Sequence, residues 1–116
     1  MFNANLEFFA VNPVSDYQVA LPWYVRLFGT PPTFLATDTE AVWELAEHRY
    51  LVIEQRPEIA GHSIPTLFVD DLDSVMAQIS GRGIEPAKQE TYENGVRKVI
   101  YLDPDGNEIG FGGGPQ

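Results

Sequence analysis

The chain has 116 residues, with 17 Asp and Glu against 7 Lys and Arg, a formal charge of −10. A field of that sign repels phosphate polyanions and anionic membranes, so neither nucleic acid nor a membrane surface is an expected partner, while cationic ligands are attracted and solubility is favoured. Without cysteine there are no disulfides, thiol nucleophiles or cysteine-based metal sites, and no apolar run approaches the roughly 18 residues of a membrane helix. The opening MFNANLEFF lacks a basic stretch followed by an apolar core; no secretory leader is expected, and the expected compartment is the cytoplasm.

In chain order, Leu6–Val11 reads as a strand that Asn12 and Pro13 should end. Ser15, with Gln18 three residues on, fits a helix N-cap. Ala20, Trp23 or Tyr24, and Leu27 recur at helical spacing, and Gly29 suits a C-terminal stop. Pro22 falls inside that pattern and should kink or delay the helix, because it removes a backbone donor. Three strands are predicted next, at Thr33–Ala36, Ala41–Ala46 and Tyr50–Gln55, with Glu47–Arg49 as a tight connection. Ile64–Val69 reads as another strand. Asp71 then caps a helix whose Leu72, Val75, Met76 and Ile79 form one apolar face, and Gly83 ends it. Strands follow at Ala87–Tyr92, Val96–Leu102 and Glu108–Phe111. Asn94-Gly95 marks a two-residue hairpin, and Asp103-Pro104-Asp105-Gly106-Asn107 a turn. Gly112 to Gln116 reads as a frayed end.

The chain repeats. Asp16, Gly29 and Pro32 recur 54 positions later as Asp70, Gly83 and Pro86. The elements give the order βαβββ twice, in modules 1–58 and 59–116. Neither half can bury much core alone, which points to one α+β domain made of both.

This doubled unit carries Trp23-Tyr24 before Leu27-Phe28-Gly29. At and after the second helix come Val69-Asp70-Asp71-Leu72-Asp73, Arg82-Gly83-Ile84 and the DPDGN turn. Together they resemble the vicinal oxygen chelate superfamily of glyoxalase I, fosfomycin and bleomycin resistance proteins and extradiol dioxygenases. The resemblance implies half-barrel sheets that enclose a cavity, helices outside, and a homodimer whose cavity is often shared between chains.

The resemblance also implies a divalent metal held by His and Glu from the first and last strand of each module. Counting from the landmarks, those positions fall on Phe9, at or near Glu54, on Ile64 and on Gly110. Phe9, Ile64 and Gly110 have no donor side chain, and one carboxylate does not hold a transition metal against water. Two-residue steps keep the face of a strand, so a displaced set of Glu7, Glu54, His62 and Glu108 is the alternative. It would make the chain a metal-dependent lyase, isomerase or dioxygenase. His62 also reads as a plain loop histidine, His48 as a solvated turn residue, and Glu54 as a surface carboxylate or an anchor for a ligand cation. No GxSxG elbow, phosphate-binding glycine loop or paired acid–base carboxylates are present.

Aromatic residues make up 12% of the chain. Phe8, Phe28, Phe68 and Phe111 have simple core readings, although alternation from Ile64 through Thr66 would turn Phe68 inward to the cavity. The expected ligand-binding set is Phe9, Trp43, Tyr50, Glu54, Ile64, Phe68, Arg97 and Tyr101, with Arg97 facing either a ligand acid or Glu90. An aromatic-walled cavity binds flat organic molecules by burial and stacking. The leading expectation is therefore a homodimer that sequesters an antibiotic or another aromatic or cationic metabolite. It would use no metal and no cofactor, as the resemblance to bleomycin resistance proteins implies. A regulatory module without a ligand is the third reading.

Overall fold

The first strand, β1 (Phe8–Val14), alternates in burial: Asn12 and Val14 are fully buried, while Phe9 and Val11 are exposed. A computed structural model describes residues 1–115, so the last residue of the expected frayed end, Gln116, lies outside the described residues. The strand runs through Asn12-Pro13 instead of stopping there. In the parallel pairing with β4 (Arg49–Gln55), the donor that proline lacks is not missed, because the bond at this end is made by Arg56 N–H to the Val14 carbonyl. The sheet of module one has the order β1-β4-β3-β2, with β2 at Phe34–Thr37 and β3 at Glu40–Ala46. The turn between β3 and β4 places His48 at φ 66°.

Module two repeats this arrangement in a second sheet, β5-β8-β7-β6, from β5 (Thr66–Phe68), β6 (Lys88–Thr91), β7 (Arg97–Leu102) and β8 (Glu108–Gly113). A 3-10 turn at Pro57–Ile59 spans the predicted module boundary. The two sheets do not close into a barrel: β1 and β5 are edge strands, and neither pairs with the other.

One face of each sheet carries a helix. Helix α1 (Tyr17–Phe28) is capped by Asp16, whose carboxylate accepts from Gln18 N at 3.0 Å; the expected cap Ser15 instead bonds Asp105 across the modules. Pro22 does not interrupt α1. It removes one donor, but Ala20, Trp23, Tyr24 and Leu27 still bury one continuous face. Helix α2 (Leu72–Gly81) is capped by Asp71, so the caps stand 55 residues apart rather than 54. The helices are tied together at their ends. Arg82 donates to the carbonyls of Arg26 and Leu27, the latter at 2.8 Å. A Cβ on Gly29 (φ 74°) would meet the Arg82 guanidinium at 2.8 Å.

Two expectations about the chain end and core change here. Gly112 and Gly113 are not frayed but buried in β8, because a residue with no side chain is needed at each point. Leu72 Cβ of α2 lies 2.7 Å from where a Cβ on Gly113 would be, and the Phe68 ring lies 3.0 Å from that of Gly112. Phe8 and Phe68 are not core: they are 66% and 68% exposed, each on an edge strand, and Phe68 faces away from the helices.

Candidate functional site

Alternation divides each sheet into a helix face and an open face. On module one the open face carries Phe9 and Val11 of β1, Tyr50, Val52 and Glu54 of β4, and Glu40 and Glu44 of β3. On module two it carries Thr66 and Phe68 of β5, Glu108, Gly110 and Gly112 of β8, and Lys98 of β7.

Phe9 stacks on Tyr50 with ring centroids 4.3 Å apart and planes within 9°. The Tyr50 hydroxyl donates to Glu7, and that bond, first among several causes, holds the phenol above its ordinary pKa. Glu54 sits half-buried, 3.5 Å from Arg56 and opposite Glu40 in the register. Burial, followed by the charge and hydrogen bonding of Glu54, pushes the Glu40 carboxyl up. Register also refines the fourth-strand position. Thr66 pairs with Gly110 as Val11 pairs with Val52, so the counterpart of Gly110 in module one is Val52, and Glu54 lies one step further along the same face.

The seam between the sheets is closed at one end. Ser63 Oγ donates to the Val11 carbonyl at 3.2 Å, and Asn107 Nδ2 to the Pro13 carbonyl at 2.8 Å. Asp103 accepts from the Tyr24 hydroxyl at 2.7 Å, and Asn12 donates to that same hydroxyl at 3.0 Å. The DPDGN turn thus clamps module two to β1 and α1. At the other end the edges part, leaving a cavity of about 620 Å³. Helix-face Ala10, Leu51 and Leu67 and open-face Tyr50, Thr66 and Phe68 contribute to its walls, and Arg49 is the one charged residue among them. That volume is in the range of drug-sized ligands.

Of the expected ligand-binding set, Tyr50 and Phe68 line this cavity and Phe9 backs Tyr50, whereas Glu54 and the 70%-exposed Ile64 do not line it. Three residues point the other way. Trp43, 1% exposed, packs under α1 and donates to the Thr30 carbonyl. Tyr101, fully buried, lies edge-on to Phe111, and burial raises its pKa. Arg97 pairs with Asp73 of α2 at 2.8 Å, not with Glu90. The reason is parity: Trp43 alternates with Glu40 and Glu44, and both Tyr101 and Arg97 alternate with Lys98, so all three fall on the helix faces. Arg49 and Leu67 were missed because the cavity lies between edge strands, and periodicity within a strand does not report which edges meet.

The sequence profile of the glyoxalase/bleomycin resistance protein/dioxygenase superfamily matches residues 9–111. The chain belongs to this superfamily. A glyoxalase / bleomycin resistance protein from Catenulispora acidiphila DSM 44928 is 58% identical, with a TM-score of 0.92, covering 95% of this chain and 99% of that one. TnmS3, an antibiotic binding protein from Streptomyces sp. CB03234, is 25% identical with a TM-score of 0.71 over 100% and 99% of the two chains. A lactoylglutathione lyase from Agrobacterium tumefaciens shares the fold at 17% identity, with a TM-score of 0.73 over 98% and 96%. No curated protein matches. The superfamily fold thus accommodates both binding proteins and enzymes.

The metal implied by the enzymes of the superfamily does not fit these residues. Of the four positions counted for it, Phe9, Ile64 and Gly110 have no donor atom, and the fourth-strand position falls at or near Glu54, with Val52 its register match to Gly110. The Lys98 stem crosses the space over Gly110, with Cε 2.8 Å from an added Cβ, and puts an ammonium near where a carboxylate ligand would stand. The displaced alternative finds no support in the geometry: among the described residues no group of three or more His, Asp or Glu is arranged to hold a metal ion, Glu7, Glu54, His62 and Glu108 included. Among the same residues, no helix is long and apolar enough to cross a membrane.

Proposed function

We propose that this protein binds a flat aromatic small molecule, an antibiotic or another secondary metabolite, in the seam cavity without a metal, and that it works as a cytoplasmic homodimer without a cofactor. One observation carries this reading: three of the four positions that would coordinate an ion, Phe9, Ile64 and Gly110, carry hydrocarbon or hydrogen, while an apolar cavity of about 620 Å³ lies at the same seam. The similarity to an antibiotic binding protein over the whole chain supports it. Exposed apolar side chains on the open faces, among them Phe9, Val11, Phe68 and Leu102, support the dimer, because a second copy would take them from water.

Thermal-shift measurements against a panel of aromatic antibiotics and metabolites, each with and without a chelator, test the reading. Binding should raise the melting temperature equally in both conditions. A panel without one shift, or shifts that vanish with the chelator, would contradict it.

A further inference from the structure

The protein is strongly acidic, yet its cavity is not. Arg49 is the one charged residue lining it, and the adjoining open face of module two presents Lys98 beside Thr66. Of the five other cations, four are engaged, and Arg26, in the last turn of α1, lies away from the cavity lining. Arg56 pairs with Glu54 and Glu58 at 3.5 Å, Lys88 with Glu90 at 3.1 Å and Arg97 with Asp73 at 2.8 Å, while Arg82 is spent on the carbonyls at the end of α1. Glu90 faces Lys98 in the register and makes its ion pair with Lys88; the Lys88 bond and charge, and to a lesser extent the Lys98 charge, hold its carboxyl down. Arg49 and Lys98 make no ion pair among the described residues, although acids outnumber bases by 17 to 7. An arginine on the wall of an apolar cavity, with a half-buried lysine beside the lining residue Thr66, is a feature of such a chain that general solubility does not require.

Gly110 makes the second cation possible. Its missing side chain lets the Lys98 stem lie across β8 toward Thr66, whose hydroxyl is 3.1 Å from the added Cβ. The side chain is half-buried, so its ammonium is less screened than that of a free surface lysine. Behind the wall residue Thr66, an ammonium therefore stands next to its hydroxyl, and Phe68 on the same strand adds aromatic surface to the wall.

We infer that the ligand of the seam cavity is an organic anion: an aromatic body held by the apolar walls, with a carboxylate, sulfonate or ionised phenol anchored by Arg49 and Lys98. This rests on the binding function proposed above and reverses the preference for cations that net charge alone predicts. Arg49 can give two parallel hydrogen bonds to such a group, and Lys98 supplies a point charge.

The test uses two fluorescent probes of nearly the same shape, 8-anilinonaphthalene-1-sulfonate and the neutral N-phenyl-1-naphthylamine, titrated into the full chain. The anionic probe should bind at one site per chain and more tightly than the neutral one, with affinity falling as salt rises. Arg49→Gln should weaken it about tenfold and Lys98→Gln about three- to tenfold, with the neutral probe unchanged in both. Circular dichroism melts of each variant would show that folding is retained, as expected for one exposed and one half-buried side chain. Equal or tighter binding of the neutral probe, or indifference of the anionic probe to both substitutions, overturns the anion preference while leaving a binding cavity in place. Failure of both probes to bind overturns the cavity reading itself.

Discussion

Gly110 shows how one residue decides the chemistry of a site. A Glu there would project from the open face as a metal ligand; the glycine instead opens a path for Lys98. A second residue-scale feature is the facing pair Glu40 and Glu54, where burial and the neighbouring carboxylate raise the Glu40 pKa. Because the folded-state value lies above the unfolded one, this group favours the fold at acid pH and loses that contribution as pH rises through the folded value. Glu40→Gln should therefore raise the melting temperature at pH 7 and give no gain at pH 4, as read by calorimetry at the two pH values. An equal gain at both would mean that the two carboxylates do not interact. Tyr24 has the same sign. Burial and then the charge of Asp103 raise its phenol, so the contribution is complete below about pH 10 and is lost above it. Tyr24→Phe should cost about 1–3 kcal/mol at neutral pH, because it leaves the buried Asn12 amide without its acceptor and takes one of several bonds from Asp103, and should flatten the alkaline loss of stability in denaturant titrations.

Among the elements, helix existence, type and approximate ends were legible, because Leu72, Val75, Met76 and Ile79 repeat at helical spacing and Gly29 adopts a left-handed stop. Strand ends were less so. Pro13 reads as a terminator in isolation, yet β1 is an edge strand in parallel pairing and has a use for a residue without a donor. The glycines of β8 read as fraying because their value lies in what approaches them. Gly113→Ala puts a methyl 2.7 Å from Leu72 Cβ, a stem atom that cannot rotate away, so α2 has to shift. The expected cost is about 1–3 kcal/mol, visible as a lower melting temperature. Gly114→Ala, with nothing within 4 Å of the added atom, should be neutral by the same measurement.

For the whole molecule, the repeat and the doubled βαβββ order were visible in the sequence, and the structure shows two four-stranded sheets of matching order. What joins them was not. The DPDGN turn reads as local turn chemistry, but Asp103 and Asn107 spend their side chains on Tyr24, Pro13 and Ser63 of other segments. Asn107→Ala removes bonds to Pro13, Ser63 and Asp103 from a fully buried position and should cost about 2 kcal/mol or more. A broadened unfolding transition is the sign that the modules have been uncoupled. The cavity was illegible for a related reason: strand alternation assigns faces but does not say where two edges part. Face assignment itself was available, since Glu40 and Glu44 flank Trp43 at period two and mark its side as the opposite one.

The account stands on coordination positions without donors. Its most direct test is elemental analysis of the purified protein after dialysis against zinc, nickel, manganese and iron(II), followed by removal of free ions. The structure predicts metal content far below one ion per chain or per dimer. A stoichiometric, tightly retained divalent ion would contradict it.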